Sequence, residues 1–443
     1  MSRVPSPSPY DPPMADQVSY SDAGVDYETL DAGKRLAVAE ALATSGLLAG
    51  RGGRALDSSR GEPAFVFELD ERTLALVVEG LGTKSIIARQ VLEEGFGDGP
   101  EAGAGARARA EAGGEGWVRE DPAGGWFANV AYDAVAAIVN DLCCVGALPL
   151  VVNAYFATGS SQWYRAPARA RELVEGWRRA CEDAGCAWGG GESPSLPGLL
   201  DEREIELAGA AVGAVPPGRA AILGQDLAPG NEIVLVASTG LHANGASLAR
   251  LVASRLPDGY ATVLAAGERG AAGDDVAGGE CGARVGGDDV AGGERPAGAA
   301  GETTLGRALL EPSAMYVGLV ARLLALELPV TYLSHITGHG LLKLMRRPQS
   351  LRYRVHELGP VPEVLAFLVA EAGLDARAAY STFNMGAGYA VYCAAGAGAA
   401  VVEAAAAVGL RAWVAGVVEE GPREVVLEPV ELRYRGEELE LGG

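Results

Sequence analysis

The sequence predicts an α+β protein with two domains, and three observations support this prediction. The chain has 443 residues, of which 49% are hydrophobic and 21% are charged, so it can form extensive buried cores. Short strand-like segments come in closely spaced pairs followed by helical patterns, which favours sheets covered by helices on one face. A doubly wound parallel sheet fits less well, because no G-x-G-x-x-G motif follows a first strand. We therefore expect an N-terminal domain with a mixed sheet and a C-terminal α/β sandwich.

The order of the expected elements follows from local hydrophobic periodicity. Residues 65–70 and 73–79 have strand composition, and the short gap between them predicts a hairpin. Apolar residues recur at helical spacing within residues 131–144. The other elements predicted for the first half are strands at residues 148–157 and 205–215 and a helix at residues 167–184. For the second half we predict strands at residues 232–238, 388–393 and 412–418 and helices at residues 247–254, 308–326, 340–345, 362–372 and 399–408.

Changes in composition set the expected domain limits. We place the N-terminal domain at residues 19–215 and the C-terminal domain at residues 223–431, with a connection rich in proline and glycine between them. Residues 1–18 are proline-rich and are predicted to form a disordered lead-in. Two glycine-rich stretches, at about residues 95–125 and about residues 265–301, are predicted to be flexible insertions. The second stretch repeats the sequence GDDVAGGE, a unit too short to pack as a structural repeat.

Charge and cysteine content exclude several classes of protein. Lys and Arg total 36 against 58 Asp and Glu, a net charge of −22 that repels a nucleic-acid backbone. The longest uncharged apolar stretch, residues 385–402, is so rich in Ala and Gly that a buried strand and helix start fits better than a membrane span. The six cysteines contain no C-x-x-C pair, and no secretory signal is recognisable. We therefore expect a cytoplasmic protein without nucleic-acid or membrane partners.

A glycine turn with charged neighbours follows the second predicted strand. Residues 79–84 read E-G-L-G-T-K. Gly80 and Gly82 allow a sharp turn that exposes backbone N–H groups, Thr83 adds a hydroxyl, Lys84 a positive charge and Glu79 a carboxylate. This combination suits a phosphate and its metal ion, although the spacing is not that of a P-loop. The alternative is a plain turn with a surface lysine.

Polar residues also end the helix predicted at residues 131–144. A buried carboxylate such as Asp141 must be hydrogen-bonded or must hold a cation, because burying a bare charge is costly. Asn140 precedes it, and both residues could equally form a polar cluster that merely ends the helix. Further along the chain, Gly189, Gly190 and Gly191 followed by Glu192 are typical of a backbone nest that contacts a ligand. A loop without a binding role is the alternative there.

In the second half, two histidine motifs stand beside glycines. His242 and Asn244 lie in a turn between a predicted strand and a predicted helix, where a helix N-terminus favours anions. A histidine there can donate to a phosphate or move a proton, although a helix cap is the alternative. His335 and His339 are four residues apart, but the intervening Gly338 and the absence of further ligands argue against zinc. A glycine turn that contacts a ligand stays open as an interpretation of this motif.

Taken in order, these motifs resemble the aminoimidazole ribonucleotide synthetase family of purine biosynthesis, also called the phosphoribosylformylglycinamidine cyclo-ligase family. The resemblance covers most of residues 19–420. The matching segments are Y-S-D-A-G-V-D at residues 20–26, D-x4-G-A-x-P at residues 141–149, the glycine-rich residues 189–192, residues 240–248, the Glu-Pro pair at residues 311–312, and residues 382–388.

The resemblance implies an ATP-dependent enzyme that uses Mg²⁺, acts on a small nucleotide substrate and forms a homodimer of two-domain chains. By this analogy Glu79 and Asp141 hold Mg²⁺, while His242 and Asn244 face the substrate or its activated oxygen. The nucleotide-binding set is then Gly80, Gly82, Thr83, Lys84, Gly189, Gly190, Gly191 and Glu192, and the catalytic set is Lys84, Asp141, His242 and Asn244.

Departures from the family pattern leave the substrate open. Glu79 stands where the family has Asp, His339 replaces a glycine, and the family's glycine-rich flap has no clear match in residues 47–62. The rival functions are those of related ATP-dependent proteins such as thiamine monophosphate kinase, selenophosphate synthetase or a hydrogenase maturation protein. A catalytically altered paralogue that binds nucleotide is a further alternative. The first cysteine is Cys143, whereas selenophosphate synthetases usually carry a reactive residue near the N-terminus.

Overall fold

Two sheets organise the chain in the computed structural model, which describes residue 24 and residues 27–94, 125–264 and 303–439. The predicted lead-in and the insertion predicted at residues 265–301 lie outside the described residues. The insertion predicted at residues 95–125 also lies outside them, except for residue 125. The described part confirms an α+β protein with two mixed-sheet domains.

The N-terminal sheet is antiparallel except at one edge. Its strands are β1 (Gly53–Ala55), β2 (Phe65–Leu69), β3 (Arg72–Gly80), β4 (Leu148–Thr158), β5 (Ala187–Glu192) and β6 (Ile205–Ala214). They lie in the order β1-β2-β3-β6-β4-β5, and only the β4–β5 pair is parallel. The helices of this half are α1 (Tyr27–Thr44), α2 (Lys84–Glu93), α3 (Trp126–Cys143) and α4 (Pro167–Asp183).

Helix α3 lies at the centre of the N-terminal core. It packs on β3 and β6 and against α4, and most of its residues are buried. The crossing with α4 is close because Gly176 has no side chain, and a Cβ there would lie 2.2 Å from the carbonyl oxygen of Ala128. The opposite face of the sheet carries partly exposed apolar side chains, such as Leu76 and Val78 on β3.

The C-terminal sheet is larger, and buried side chains pack on both of its faces. Its strands are β7 (Glu232–Ala237), β8 (Val330–His335), β9 (Leu351–Val355), β10 (Ala387–Cys393), β11 (Ala412–Glu420), β12 (Glu424–Leu427) and β13 (Leu432–Arg435). Their order is β13-β12-β9-β11-β7-β10-β8, and only β9 and β12 run parallel. The helices are α5 (Ala246–Arg255), α6 (Leu305–Leu309), α7 (Val317–Ala325), α8 (Glu363–Glu371), α9 (Ala376–Thr382) and α10 (Gly398–Ala406).

Three predicted elements were wrong in kind. The single helix expected at residues 308–326 is two helices, α6 and α7, because Pro312 has no N–H for a helix interior. The helix expected at residues 340–345 is a 3₁₀ segment, Gly340–Met345. The nest expected at residues 189–192 is the edge strand β5. Strands β1, β8, β9, β12 and β13 and helices α1, α2 and α9 were not predicted.

Candidate active site

The two domains meet where α3 contacts the segment between α6 and α7, residues 310–316. The Nδ2 atom of Asn140 donates to the carbonyl of Ala314 at 2.9 Å, and the Tyr316 N–H donates to Asn140 Oδ1 at 2.8 Å. Earlier on the same helix, Asp133 Oδ1 accepts from the Ser313 N–H at 2.6 Å. Asp133 and Asn140 are about two helical turns apart, so both side chains project from the same face. This polar face of α3 fixes the C-terminal domain against the N-terminal one.

A cleft of about 370 Å³, counting the solvent at its mouth, opens beside this contact. It is lined by residues of α3, of the turn between β7 and α5, and of the loop that follows β8. The polar side chains in its wall are those of Asn140, His242, Asn244, Ser313, His335, Thr337 and Asn384.

An acidic cluster lies next to the cleft at the end of α3. His335 Nδ1 lies 2.6 Å from Oδ1 of Asp141, and Asp141 also hydrogen-bonds the carboxyl group of Glu79. Burial and the negative Asp141 raise the pKa of Glu79 to about 8. Burial opposes ionisation of Asp141 as well, but the hydrogen bond and charge of His335 outweigh it and lower the pKa of Asp141. Asp141 is therefore the ionised member of the pair at neutral pH.

The donor set of this cluster fits a magnesium ion held partly by a nucleotide. Mg²⁺ prefers oxygen ligands and is usually bound by one or two carboxylates together with substrate phosphates. Glu79 and Asp141 supply two adjacent carboxyl groups that share a proton, and a divalent ion can take the place of that proton. Within the described ranges no group of three or more His, Cys, Asp or Glu side chains is arranged to hold a metal alone. The pair thus suits a metal that arrives with phosphate oxygens.

Lys84 lies in a buried ion pair instead of facing solvent. Its Nζ atom is 2.5 Å from Asp133 Oδ2, and both side chains are fully buried. The same ammonium donates to the carbonyl of Glu311 at 3.4 Å. In this structure Lys84 therefore contacts protein groups that link α2, α3 and the segment before α7. Its expected contact with a triphosphate stays a prediction.

The glycine turn before α2 packs against both domains. Gly82 has a left-handed φ of +71°, and its N–H donates to Glu206 Oε1 at 3.4 Å. A Cβ at Gly80 would lie 3.2 Å from the same carboxylate oxygen. The hydroxyl of Thr83 lies 2.9 Å from that of Ser247 on α5. The turn therefore joins β3 to the C-terminal domain, and its binding of phosphate stays a prediction.

The triple glycine lies away from the acidic cluster. Gly191 pairs with Ala154 on β4, which pairs with Gly209 on β6, which pairs with Glu79 on β3. Three strand spacings separate Gly191 from Glu79, roughly 14 Å. Gly189, Gly190, Gly191 and Glu192 are all exposed at the sheet edge. A Cβ at Gly191 would lie 2.0 Å from the Ala154 carbonyl oxygen, so glycine is needed here for strand pairing.

His242 is buried at the cleft and held through one ring nitrogen. The residue has a left-handed φ of +60° in the turn after β7. Its Nε2 accepts from the N–H groups of Thr239 at 3.2 Å and of Ala314 at 3.3 Å. Burial, together with the positive charges of His335 and Lys84, lowers the pKa of His242 well below its ordinary value. Asn244, two residues on, is exposed at the cleft wall.

Four residues of this region were not predicted as site residues: His335, Asp133, Ser313 and Glu206. His335 carried a visible signal, since it stands in a glycine-rich motif at the end of a strand-like run, but its carboxylate partner comes from the other domain. Asp133 looked like one polar residue within an apolar helix. Neither contact has a spacing that the sequence could reveal.

Two family models match the chain and define its class. Residues 125–215 match the N-terminal domain of AIR synthase related proteins, and residues 261–428 match the C-terminal domain of the same group. The described helices include none that is long and apolar enough to cross a membrane.

Curated relatives narrow the class further. The phosphoribosylformylglycinamidine cyclo-ligase of Anaeromyxobacter sp. (strain Fw109-5) is 37% identical over 304 residues, which is 68% of this chain and 77% of the relative. The protein of that name from Methanothermobacter thermautotrophicus is 32% identical over 302 residues, 68% of this chain and 76% of the relative. The chain belongs to the phosphoribosylformylglycinamidine cyclo-ligase family. Among solved structures, a HypE–HypF complex aligns with 14% identity and a TM-score of 0.49, covering 84% of this chain and 92% of that one.

Proposed function

We propose that the protein is an ATP-dependent cyclo-ligase that converts formylglycinamidine ribonucleotide to aminoimidazole ribonucleotide. The observation that supports this most directly is the acidic cluster of Glu79, Asp141 and His335, which lies beside a polar cleft between the two domains. The relatives that cover two thirds of the chain carry the name of this activity. The family resemblance and the geometry thus indicate the same region of the molecule.

In the proposed reaction, the formyl amide oxygen attacks the γ-phosphorus of ATP, and ADP leaves with the electrons of the broken P–O bond. The amidine nitrogen then forms a bond to the formyl carbon, the C–O bond breaks, and phosphate departs as the nitrogen loses its proton. The protein must position the two reactants and stabilise charge on the phosphoryl oxygens. These are tasks for fixed donors and cations in a water-poor cleft.

The residues divide these tasks according to where they lie. Glu79 and Asp141 would hold Mg²⁺, which supplies a positive charge to the phosphate oxygens when it is bound. The turn at residues 80–84 would approach the triphosphate through its backbone. His242 and Asn244, which line the cleft, would face the substrate. Gly189, Gly190, Gly191 and Glu192 would reach nucleotide only from the outer edge of the sheet.

We also propose that the chain forms a homodimer through the outer face of the N-terminal sheet. Leu76 on β3, Val212 on β6 and Val151 on β4 are direct cross-strand neighbours, and all three are exposed. Val78 is 69% exposed, and Tyr155 lies on the same face. A continuous apolar sheet face is typical of an interface, and pairing with a second copy would cover it.

We place the protein in the cytoplasm. The five cysteines among the described residues are all free thiols, and four of them are buried. Free thiols suit a reducing compartment, where structural disulfides are rare.

The activity is tested by measuring ADP release from the full-length chain with ATP and Mg²⁺ and a panel of acceptors. The acceptors are formylglycinamidine ribonucleotide, thiamine monophosphate and selenide. We expect ADP release only with formylglycinamidine ribonucleotide, together with formation of aminoimidazole ribonucleotide. Release with either other acceptor would assign a different reaction. ATP binding without turnover of any acceptor would identify a paralogue that only binds nucleotide.

A further inference from the structure

Two buried polar atoms in the wall of the cleft have no hydrogen-bond partner among the residues that the structure describes. They are Nδ1 of His242 and Oγ of Ser313. The two residues are 6% and 7% exposed, and both line the cleft. An unpaired buried polar group costs about 1–3 kcal/mol, so native proteins rarely keep one without a use. Two in one cleft point to a ligand that pairs with both.

The hydrogen bonds of His242 determine which of its nitrogens carries the proton. Nε2 faces two backbone donors, the N–H groups of Thr239 and Ala314. A nitrogen that accepts hydrogen bonds has no proton of its own, so the neutral ring is protonated at Nδ1. The unpaired atom of His242 is therefore a hydrogen-bond donor.

The ring of His242 has little room to move. A Cβ at Gly388 on β10 would lie 2.8 Å from Cε1 of the ring and 2.0 Å from the hydroxyl oxygen of Tyr316. The backbone of His242 is itself in the left-handed region, which a non-glycine residue adopts at a cost that functional sites often carry. A donor held in this way is ready for its partner before the partner arrives.

Ser313 is held in place through a hydrogen bond of its backbone. Its N–H donates to Asp133, whose other oxygen is paired with Lys84. The buried ion pair thus orients the segment that carries the Ser313 hydroxyl. The hydroxyl can rotate and donates freely to an acceptor in the cleft.

We propose that the Nδ1–H of His242 and the hydroxyl of Ser313 form a neutral donor pair that binds the transferred phosphoryl group. This inference rests on the proposed function. In the ring-closing step the pair donates to phosphoryl oxygens while the C–O bond breaks, and so stabilises the charge that the departing phosphate acquires. Ser313 is then a further catalytic residue, and His242 acts as a neutral donor instead of a charged acid. Asp133 and Lys84 are positioning residues for Ser313.

The protonation of His242 is tested by nitrogen NMR of the full-length protein labelled at its four histidines. The His242 signals are assigned as those missing from the His242→Gln variant. We expect Nδ1 to carry the proton and Nε2 to carry none across the neutral pH range. A proton on Nε2, or on both nitrogens, would overturn the inference whatever the activity of the protein.

The subsite is tested with inorganic phosphate as the probe. We expect phosphate to shift the Nδ1 signal of His242, and Ser313→Ala to weaken phosphate binding roughly threefold to tenfold, the worth of one neutral hydrogen bond. The matched control is Ser254→Ala, since the Ser254 hydroxyl is exposed and bonds only to the carbonyl of Leu251. Equal phosphate affinity in Ser313→Ala and Ser254→Ala would overturn the subsite.

Turnover separates this inference from the proposed function. With formylglycinamidine ribonucleotide, Ser313→Ala should lower kcat roughly 100-fold and change KM little, as removal of a donor to developing charge does. Ser313→Thr, which keeps a hydroxyl, should recover most of kcat. Phosphate binding as expected without any turnover in the wild type would refute the cyclo-ligase while leaving the phosphate subsite in place. Turnover that Ser313→Ala leaves unchanged would refute the donor pair.

Discussion

His335 Nδ1 lies 2.6 Å from Asp141 Oδ1, so a histidine of the C-terminal domain holds the candidate metal carboxylate of the N-terminal domain. The two side chains are 5% and 13% exposed. The charge-assisted contact orients Asp141 and keeps it ionised. Because each partner comes from a different domain, the site exists only when the domains are docked.

Asp141→Asn should abolish ADP release, because the amide carries no charge for Mg²⁺. His335→Ala should lower ADP release roughly 10-fold to 100-fold, as loss of an orienting partner of a metal ligand does. Asp258→Asn, at an exposed position, serves as the control and should leave the rate unchanged. Near-normal turnover by Asp141→Asn would remove Asp141 from the active site.

The Lys84–Asp133 ion pair should show strong coupling in a double-mutant cycle. Lys84→Met and Asp133→Asn should each lower the free energy of unfolding by about 3–5 kcal/mol, because each leaves one buried charge unpaired. The double variant should recover much of this loss, since no uncompensated charge remains. Urea denaturation measures all four proteins.

The exposed pair Arg178–Glu182 provides the control cycle, with an expected coupling of about 0.5 kcal/mol or less. Equal coupling in both cycles would show that the Lys84 pair is solvated. If the double variant is stable but does not release ADP, the pair also contributes to activity, either by positioning Ser313 or by placing Lys84 at the nucleotide.

Glu79 should make the metal-free protein less stable as pH rises. Its pKa is 4.5 in the unfolded reference and about 8 in the folded chain, so between these values the folded state holds a proton that the unfolded state lacks. Stability from this group is therefore greatest below about pH 4.5 and is lost as pH rises towards 8. Glu79→Gln stays neutral, so its stability relative to the wild type should increase across this window and level off above it.

Unfolding in urea with EDTA, at several pH values, measures this difference. The expected change is a few kcal/mol, since each pKa unit corresponds to about 1.4 kcal/mol. Glu68→Gln, on an exposed ion pair with Arg54, is the control. A constant difference between Glu79→Gln and the wild type across the window would show that Glu79 titrates normally.

Val78→Lys should convert the proposed dimer to a monomer without unfolding it. A charge on the outer sheet face is costly when a second copy covers it and harmless when the face is solvated. Light scattering after size-exclusion chromatography gives the mass, and circular dichroism checks the fold. Leu326→Lys is the control, because Leu326 is also exposed but lies after α7 in the other domain. A monomeric wild type, or a dimer that survives Val78→Lys, would exclude this interface.

Local patterns predicted the elements whose periodicity can be read within a few neighbouring residues. The hairpin of β2 and β3, helix α4 and strand β6 lie close to their expected positions, because alternation and helical spacing need no knowledge of distant residues. The prediction for β5 was wrong because three consecutive glycines indicate a turn when no other strand pairs with them. Here β4 pairs with this segment, and Ala154 of β4 lies opposite Gly191. The helix over residues 308–326 was wrong because its periodicity continues through Pro312, whose missing N–H ends it.

The sequence by itself determined the fold class and the family, and it predicted side chains for a phosphate and metal site, because these depend on residue type and order. Only the tertiary structure decided which of them meet. Asp141 and His335 are 194 positions apart in the chain. The Lys84 side chain is buried because it forms an ion pair with the buried carboxylate of Asp133. The unpaired donors of His242 and Ser313 likewise arise where the docked domains exclude water. Such contacts depend on the packing of residues that are distant in the chain, and no local spacing records that packing.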